Sequence, residues 1–424
     1  MKNSRRKNDL QGQSGRAGSI RSGLKITKGE FRARLDSLQE LIAEAGLDLF
    51  IISSFDSIYY LCGRGFEPLE RPFFLLVKPE GAPVLLVPKL DLTHMSSVYN
   101  IPVENVCEYR EYPAPAGQSW PDRLREEIGT ARQIGIEPTV RQEIAAELDM
   151  FSTRMLPLVE RMRLVKSPTE VEMIRRAARY ADYGVERLLA ASYHGATVGE
   201  GFAETGKVTS KILRDLDHRE LLTTKVLMAT WAAPHSALPH SIPALEHTLE
   251  RGPHVALVLT RVNGYAAESE RTYFTESPNQ EAKHAFAAMM EARRIAFGMI
   301  RPGVSCEDLD GKVSEFLEGE GYGGVDKRLH RIGHGIGLGN HEAPWIAEGS
   351  TDRLERNMVI SVEPGIYLKG IGGFRHSDTV LVTSDGPELL TNAPTDIGSL
   401  TLKASRAFRR LKGRMVKKVL GIDR

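Results

Sequence analysis

Cysteine is scarce in this 424-residue chain. The three present, Cys62, Cys107 and Cys306, are widely spaced and odd in number, which excludes a disulfide framework and a cysteine-rich zinc spacing. A reducing compartment is expected. Long apolar runs are missing: nothing approaches the roughly 18 consecutive apolar residues of a membrane span. Net charge is nearly absent at +1, so no global field recruits nucleic acid or acidic ligands. The opening MKNSRRKNDLQGQSGRAGSIRSG is basic but has no apolar segment, so it does not read as a secretory signal. A soluble, cytoplasmic protein is expected, and no internal repeat is evident.

What charge there is lies unevenly. Both ends of the chain are basic and the middle is mildly acidic. Residues 1–26, rich in Gly, Ser, Arg and Lys, read as a disordered N-terminus. FRARLDSLQELIAEAGL then has helical spacing, and DLFIISS, IYYLCG, FFLLV and PVLLV read as short apolar strand runs. Strands alternating with helices predict an α/β domain over 27–160. A second domain is expected over 161–402. It opens on a helix with Ser167 and Glu170 at capping-box spacing and Pro168 at the first helical position. Residues 403–424 predict a basic amphipathic helix carrying Phe408, Leu411, Met415, Val419 and Leu420 on one stripe. Such a helix either contacts an anionic membrane or partner, or packs on its own domain with a solvated basic face.

LTRVNGYAAESERTYF (259–274) reads as a hairpin with an Asn263-Gly264 turn. Glu268 and Glu270 then share one face of the second strand, with Leu259 and Leu257 opposite them. Three further stretches gather polar residues in apolar, Gly/Pro-punctuated sequence: HSALPHSIP, HRIGHGIGLGNHEAPW and SVEPGIYLKGIGGFRHSDTVLV. They supply His240, His334, His341 and Glu363. Glycines around a histidine permit close backbone approach. A carboxylate before proline in an apolar strand, as at Glu363, needs a partner if buried.

Together these motifs resemble the peptidase M24 family of methionine aminopeptidases, Xaa-Pro peptidases and creatinase, over about residues 27–400. The resemblance implies a pita-bread catalytic domain preceded by a creatinase-type α/β domain, to which SIYYLCG and ERPFFLLV are similar. The metallopeptidases hold two divalent ions with Asp, Asp, His, Glu and Glu. Carried over by position, the set is broken. Glu268 stands for the second Asp, His334 and Glu363 match, Ser377 replaces the last Glu, and the first Asp is absent. A two-metal centre is therefore not expected. No metal is expected at all, although one ion on Glu268, His334 and Glu363 has a plausible ligand count.

At the altered positions the sequence looks like creatinase, the family's metal-free hydrolase: AESERT is similar to its TALERT. The resemblance implies His240 as general acid/base, Glu270 and Glu363 as catalytic carboxylates, and Arg71 as a substrate-carboxylate ligand reaching in from the neighbouring subunit of a homodimer. His341, His334 and Glu268 complete the expected substrate site. The expected function is hydrolysis of a C–N bond in a small carboxylate-bearing or dipeptide-like substrate. The alternatives are an Xaa-Pro metallopeptidase with one ion, or a non-catalytic binding module. Plainer structural roles also stand: an ion pair of Glu270 with Arg271, pairing of Arg71 with Glu67 or Glu70, and His341 bracing the Gly-rich loop. His235 and His330 are expected to be bystanders.

Overall fold

The computed structural model describes residues 23–67, 69–402 and 407–422. Most of the expected disordered N-terminus thus lies outside the described residues. Thr27 caps the helix Lys28–Glu44 through its hydroxyl, and the first sheet follows. Its strands are β1 (Leu49–Ile52), β2 (Phe74–Val77), β3 (Val84–Pro88), β4 (Val106–Tyr109), β5 (Gln133–Ile136) and β6 (Ser152–Met155). They lie in the order β4-β3-β2-β1-β5-β6 with mixed pairing. One expected strand is a helix. The IYYLC part of that run lies in the helix Phe55–Cys62, started by the Ser54 hydroxyl and stopped by Gly63 at φ 68. Local capping outweighed a β-rich composition there.

The second sheet contains β7 (Lys225–Trp231), β8 (His254–Val262), β9 (Tyr265–Tyr273), β10 (Gly333–Gly335), β11 (Glu342–Ile346) and β12 (Val359–Val362). A separate hairpin, β13 (Gly365–Leu368) with β14 (Gly372–Arg375), precedes β15 (Ser377–Thr383) and β16 (Gly386–Leu389). The large sheet runs β11-β10-β12-β15-β9-β8-β7, with β16 beside β15. The helix Pro168–Ala191, capped by the expected Ser167–Glu170 box, packs across β8 and β9. Gly184 lets it approach closely, since a Cβ there would stand 2.6 Å from Val258 Cγ1.

Two buried networks lock these layers. Arg271 and Arg293 each approach a different oxygen of Asp378 at 2.7 Å, joining β9, β15 and the helix Gln280–Met299. Arg34 on the first helix contacts Tyr265, whose hydroxyl donates to Glu170 at 3.0 Å. The hairpin turn is held from the same side, because Tyr59 Oη donates to the Asn263 carbonyl at 3.0 Å.

The final helix, Ala407–Leu420, does pack on its own domain, with Leu420 of its expected stripe turned in against Gly199 and the rest of the described stripe turned out. Lys412 and Lys417 face buried Glu204 and Glu200, while Leu411, Met415 and Val419 are exposed. Among the described residues no helix is long and apolar enough to cross a membrane.

Candidate active site

The β8–β9 register is the one the Asn-Gly turn dictates: Val262 pairs Tyr265, Leu259 pairs Glu268 and Leu257 pairs Glu270. Asn263 and Gly264 both take positive φ, 49° and 89°, as a two-residue hairpin turn requires. Alternation puts both carboxylates on one face. The opposite neighbours arrive from β15, where Ser377 pairs Glu270, and from β12 and β10, where Ser361 pairs His334. Gly333 and Gly335 are needed for that approach, because a Cβ on either would collide with the Ser361 or Ala343 carbonyl. The glycines around His334 thus admit neighbouring strands.

With leucine across the hairpin, Glu268 finds its partners on β12 and β15. Ser377 Oγ donates to its Oε1 at 2.5 Å, Ser361 Oγ donates to the same oxygen, and the two hydroxyls lie 2.9 Å apart. Burial raises the Glu268 pKa, opposed by His334 and reinforced by Glu363. His334 Nδ1 lies 3.0 Å from the Gly335 carbonyl and therefore carries hydrogen. Its Nε2, buried without a well-directed hydrogen bond, lies 3.3 Å from Glu363 Oε1 and 3.8 Å from Glu268 Oε1. Burial alone would lower the His334 pKa, but the charges of Glu268 and Glu363 overcome it and raise the value to about 9. Glu363 is part-buried, and against the desolvation His334, His330 and Arg375 hold its carboxyl below the ordinary range.

Glu270 has a different partner from the adjacent Arg271. It is in ion-pair contact with Arg375, and Arg375 Nη1 also donates to Tyr367 Oη at 3.2 Å. Burial, with Glu268 and Glu363 nearby, raises the Glu270 pKa to about 8 despite that guanidinium. Tyr367 Oη sits 2.6 Å from His330 Nε2, and His330 Nδ1 is 2.7 Å from the Arg331 carbonyl. The carbonyl demands a proton on Nδ1, so Nε2 accepts from the tyrosine. His330 thus belongs to the network through Tyr367 and is no bystander. His235 does stand apart, stacked on His247 at 4.1 Å.

The rim is more open. His240 is exposed, and its charge is felt by His330 and His341. His341 lies edge-on to His334, ring centroids 4.3 Å apart; partial burial and then His334 lower its pKa to about 4. Bracing of the Gly-rich loop falls to its neighbour Glu342, which accepts from Gly339 N at 3.1 Å and pairs with Lys166 at 3.0 Å and Arg163 at 2.5 Å. Beside His341 opens a cavity of about 570 Å³, also lined by Trp345, Asp56 and Glu160. Arg331 lies over the Trp345 ring at 4.4 Å, and its buried Nε has no partner among the described residues. Arg71 is remote from this cluster in contact terms, 3.3 Å from Glu111 and 3.6 Å from Glu70 and not paired with Glu67. Sequence reasoning missed Ser361, Arg375, Tyr367 and Arg331. All four lie within the polar-rich stretches HRIGHGIGLGNHEAPW and SVEPGIYLKGIGGFRHSDTVLV, which was the signal that could have found them.

Residues 172–384 match metallopeptidase family M24, just over half of the chain, and residues 34–165 match the Creatinase/Prolidase N-terminal domain. The chain belongs to family M24. It is 28% identical over 383 residues to an Xaa-Pro dipeptidase of Lactobacillus helveticus, covering 87% of this chain and 99% of the relative. An uncharacterized peptidase of Staphylococcus aureus is 30% identical over 347 residues, covering 79% and 92%. The crystal structure of the prolidase from Pyrococcus horikoshii superposes with a TM-score of 0.71 at 24% identity, covering 85% and 99%, which shows the shared fold. The chain is thus an M24 hydrolase by family, with the expected two-domain architecture.

The M24 residues in this chain fit one divalent ion and not two. Single ligand atoms of Glu268, His334 and His341 lie within 4.8 Å of one another, and Glu363 is beside them. With Nδ1 tied to a carbonyl, His334 Nε2 is the nitrogen available to an ion. Leu257 and Ser377 stand where the family resemblance places carboxylates that a two-ion centre would need. The expectation of no metal therefore lacks support from this donor set.

Proposed function

We propose that this chain is an Xaa-Pro-type dipeptidase, or a close functional relative, hydrolysing the C–N amide bond of a small dipeptide-like substrate at a one-ion centre. The observation that carries the reading is buried Glu268 and His334 beside part-buried Glu363, with His334 Nε2 lying between the two carboxylates. The name of the Lactobacillus helveticus relative supports it. When bound, an ion on these residues would polarise the scissile carbonyl and acidify a neighbouring water.

The chain's own residues account for binding and proton movement. Ser361 and Ser377 fix the Glu268 carboxylate in place. Arg331, with no carboxylate at ion-pair distance among the described residues, takes the substrate carboxylate against the Trp345 face. His240, at the open edge, accepts a proton as water adds to the carbonyl carbon and returns one to the leaving nitrogen as the C–N bond breaks. An imidazole suits both directions because its ring nitrogens can accept and donate a proton in turn. A metal-independent reading, in which Glu270 and Glu363 act as the paired carboxylates on a cationic substrate, has less support because Arg375 already lies against Glu270.

Loaded with Mn, Co, Zn or Fe, the protein should cleave Xaa-Pro dipeptides, and His334→Ala should remove both ion binding and turnover. Arg331→Met should raise KM about tenfold or more, the loss of one charge-assisted contact, and leave a carboxyl-amidated substrate little changed. Turnover that survives complete chelation would contradict the proposal.

A further inference from the structure

We infer that the C-terminal helix Ala407–Leu420 is a docking element for an anionic phospholipid surface. No acidic residue occurs between 403 and 422. The helix is fastened to its domain by one side only. Gly413 is buried there, and a Cβ at that position would collide with the Glu200 carboxylate. Lys412 Nζ lies 2.6 Å from Glu204 Oε1, and Lys417 Nζ lies 3.5 Å from Glu200 Oε1. Glu204 is shared with Arg187 and Lys207, so the anchoring side pairs part-exposed cations with buried carboxylates, and Leu420 packs beside them on Gly199.

The opposite side is apolar and open. Leu411, Met415 and Val419, spaced four apart and so aligned in a row, are 57%, 65% and 85% exposed. Arg410, Arg414 and Lys418 are exposed beside them. Large side chains at such exposure, in one row, gain nothing from their own fold. An apolar row flanked by cations matches the boundary between acyl chains and phosphate headgroups, where the row is buried shallowly and the cations meet phosphate. Charge complementarity commits the face to anionic lipid. The row points away from the domain, so contact requires no detachment of the helix.

The full-length protein should float with vesicles of phosphatidylcholine containing phosphatidylglycerol, stay behind with phosphatidylcholine alone, and be released by high salt. Met415→Asp alters an exposed position away from Gly413, Lys412 and Lys417, and should cut the bound fraction about tenfold without shifting the thermal midpoint. Val419→Asp repeats the test if Met415→Asp fails to fold. Absence of binding overturns the inference. So does binding that both variants retain, since other basic residues then carry it. A dimer that either variant splits, without vesicle binding, overturns it in favour of a second copy covering the row.

Discussion

At the scale of single residues, partner choice follows from strand alternation. Glu270 and Arg271 are adjacent on β9 and so face opposite sides. Glu270 meets Arg375 in the candidate site, while Arg271 crosses to Asp378 on the other face. The second pair is fully buried, and Asp378 also binds Arg293. Its two arginines outweigh burial and lower the Asp378 pKa from the ordinary 3.8 to about 2. The folded value lies below the unfolded one, so the unfolded chain binds the extra proton between them. This contribution to stability is complete above about pH 4, worth on the order of 2 kcal/mol, and is lost as pH falls toward 2. Asp378→Asn should destabilise the protein at neutral pH by about 3–5 kcal/mol, because two arginines remain buried without their anion. Urea unfolding across this pH range should show the acid slope in the parent and its absence in the variant.

Residue chemistry also separates one ion from two. Leu257 and Ser377 stand where the resemblance places carboxylate ligands, and Ser377 spends its hydroxyl on Glu268. Restoring both, as Leu257→Asp with Ser377→Glu, should raise bound Mn or Co from about one ion per chain to about two. An unchanged stoichiometry would show that something other than these two positions limits the site.

At the scale of elements, the sequence was most legible where local rules decide. The Asn263-Gly264 turn and period-two alternation fixed the register that puts Leu257 and Leu259 opposite the two glutamates. Ser167, Pro168 and Glu170 marked the helix start because capping is a contact over three residues. IYYLCG was misleading because Ser54 and Gly63 set a helix that its aromatic and β-branched content argues against. Which polar side chains neighbour the carboxylates was illegible for another reason. Ser361, Tyr367 and Arg375 lie some ninety or more residues beyond the two glutamates: Ser361 reaches Glu268 through the pairing of the large sheet, while Arg375 and, through it, Tyr367 reach Glu270 from the separate β13–β14 hairpin. The final helix showed its stripe in sequence, but which side docks depended on Glu200 and Glu204, far away in the chain. Close helix–sheet packing yields a further test. Gly184→Ala should cost about 1–3 kcal/mol by crowding Val258, read as a lower urea midpoint with unchanged slope.

At the scale of the molecule, the large sheet gathers residues from four strands and their ends around one buried carboxylate–imidazole cluster, and the N-terminal domain braces it. Arg34 and Tyr59 reach the hairpin from the first domain's helices, while Arg163 and Lys166, where the two domains join, hold Glu342 behind the Gly-rich loop. The family supplies the fold and the hydrolase class. The proposed one-ion centre is what Glu268, His334 and Glu363 would hold between them. Metal content by mass spectrometry, after equilibration with Mn, Co, Zn and Fe and removal of excess, tests this most directly. The account predicts about one ion per chain, lost in His334→Ala. Two ions per chain, or less than about a tenth of one, would contradict it.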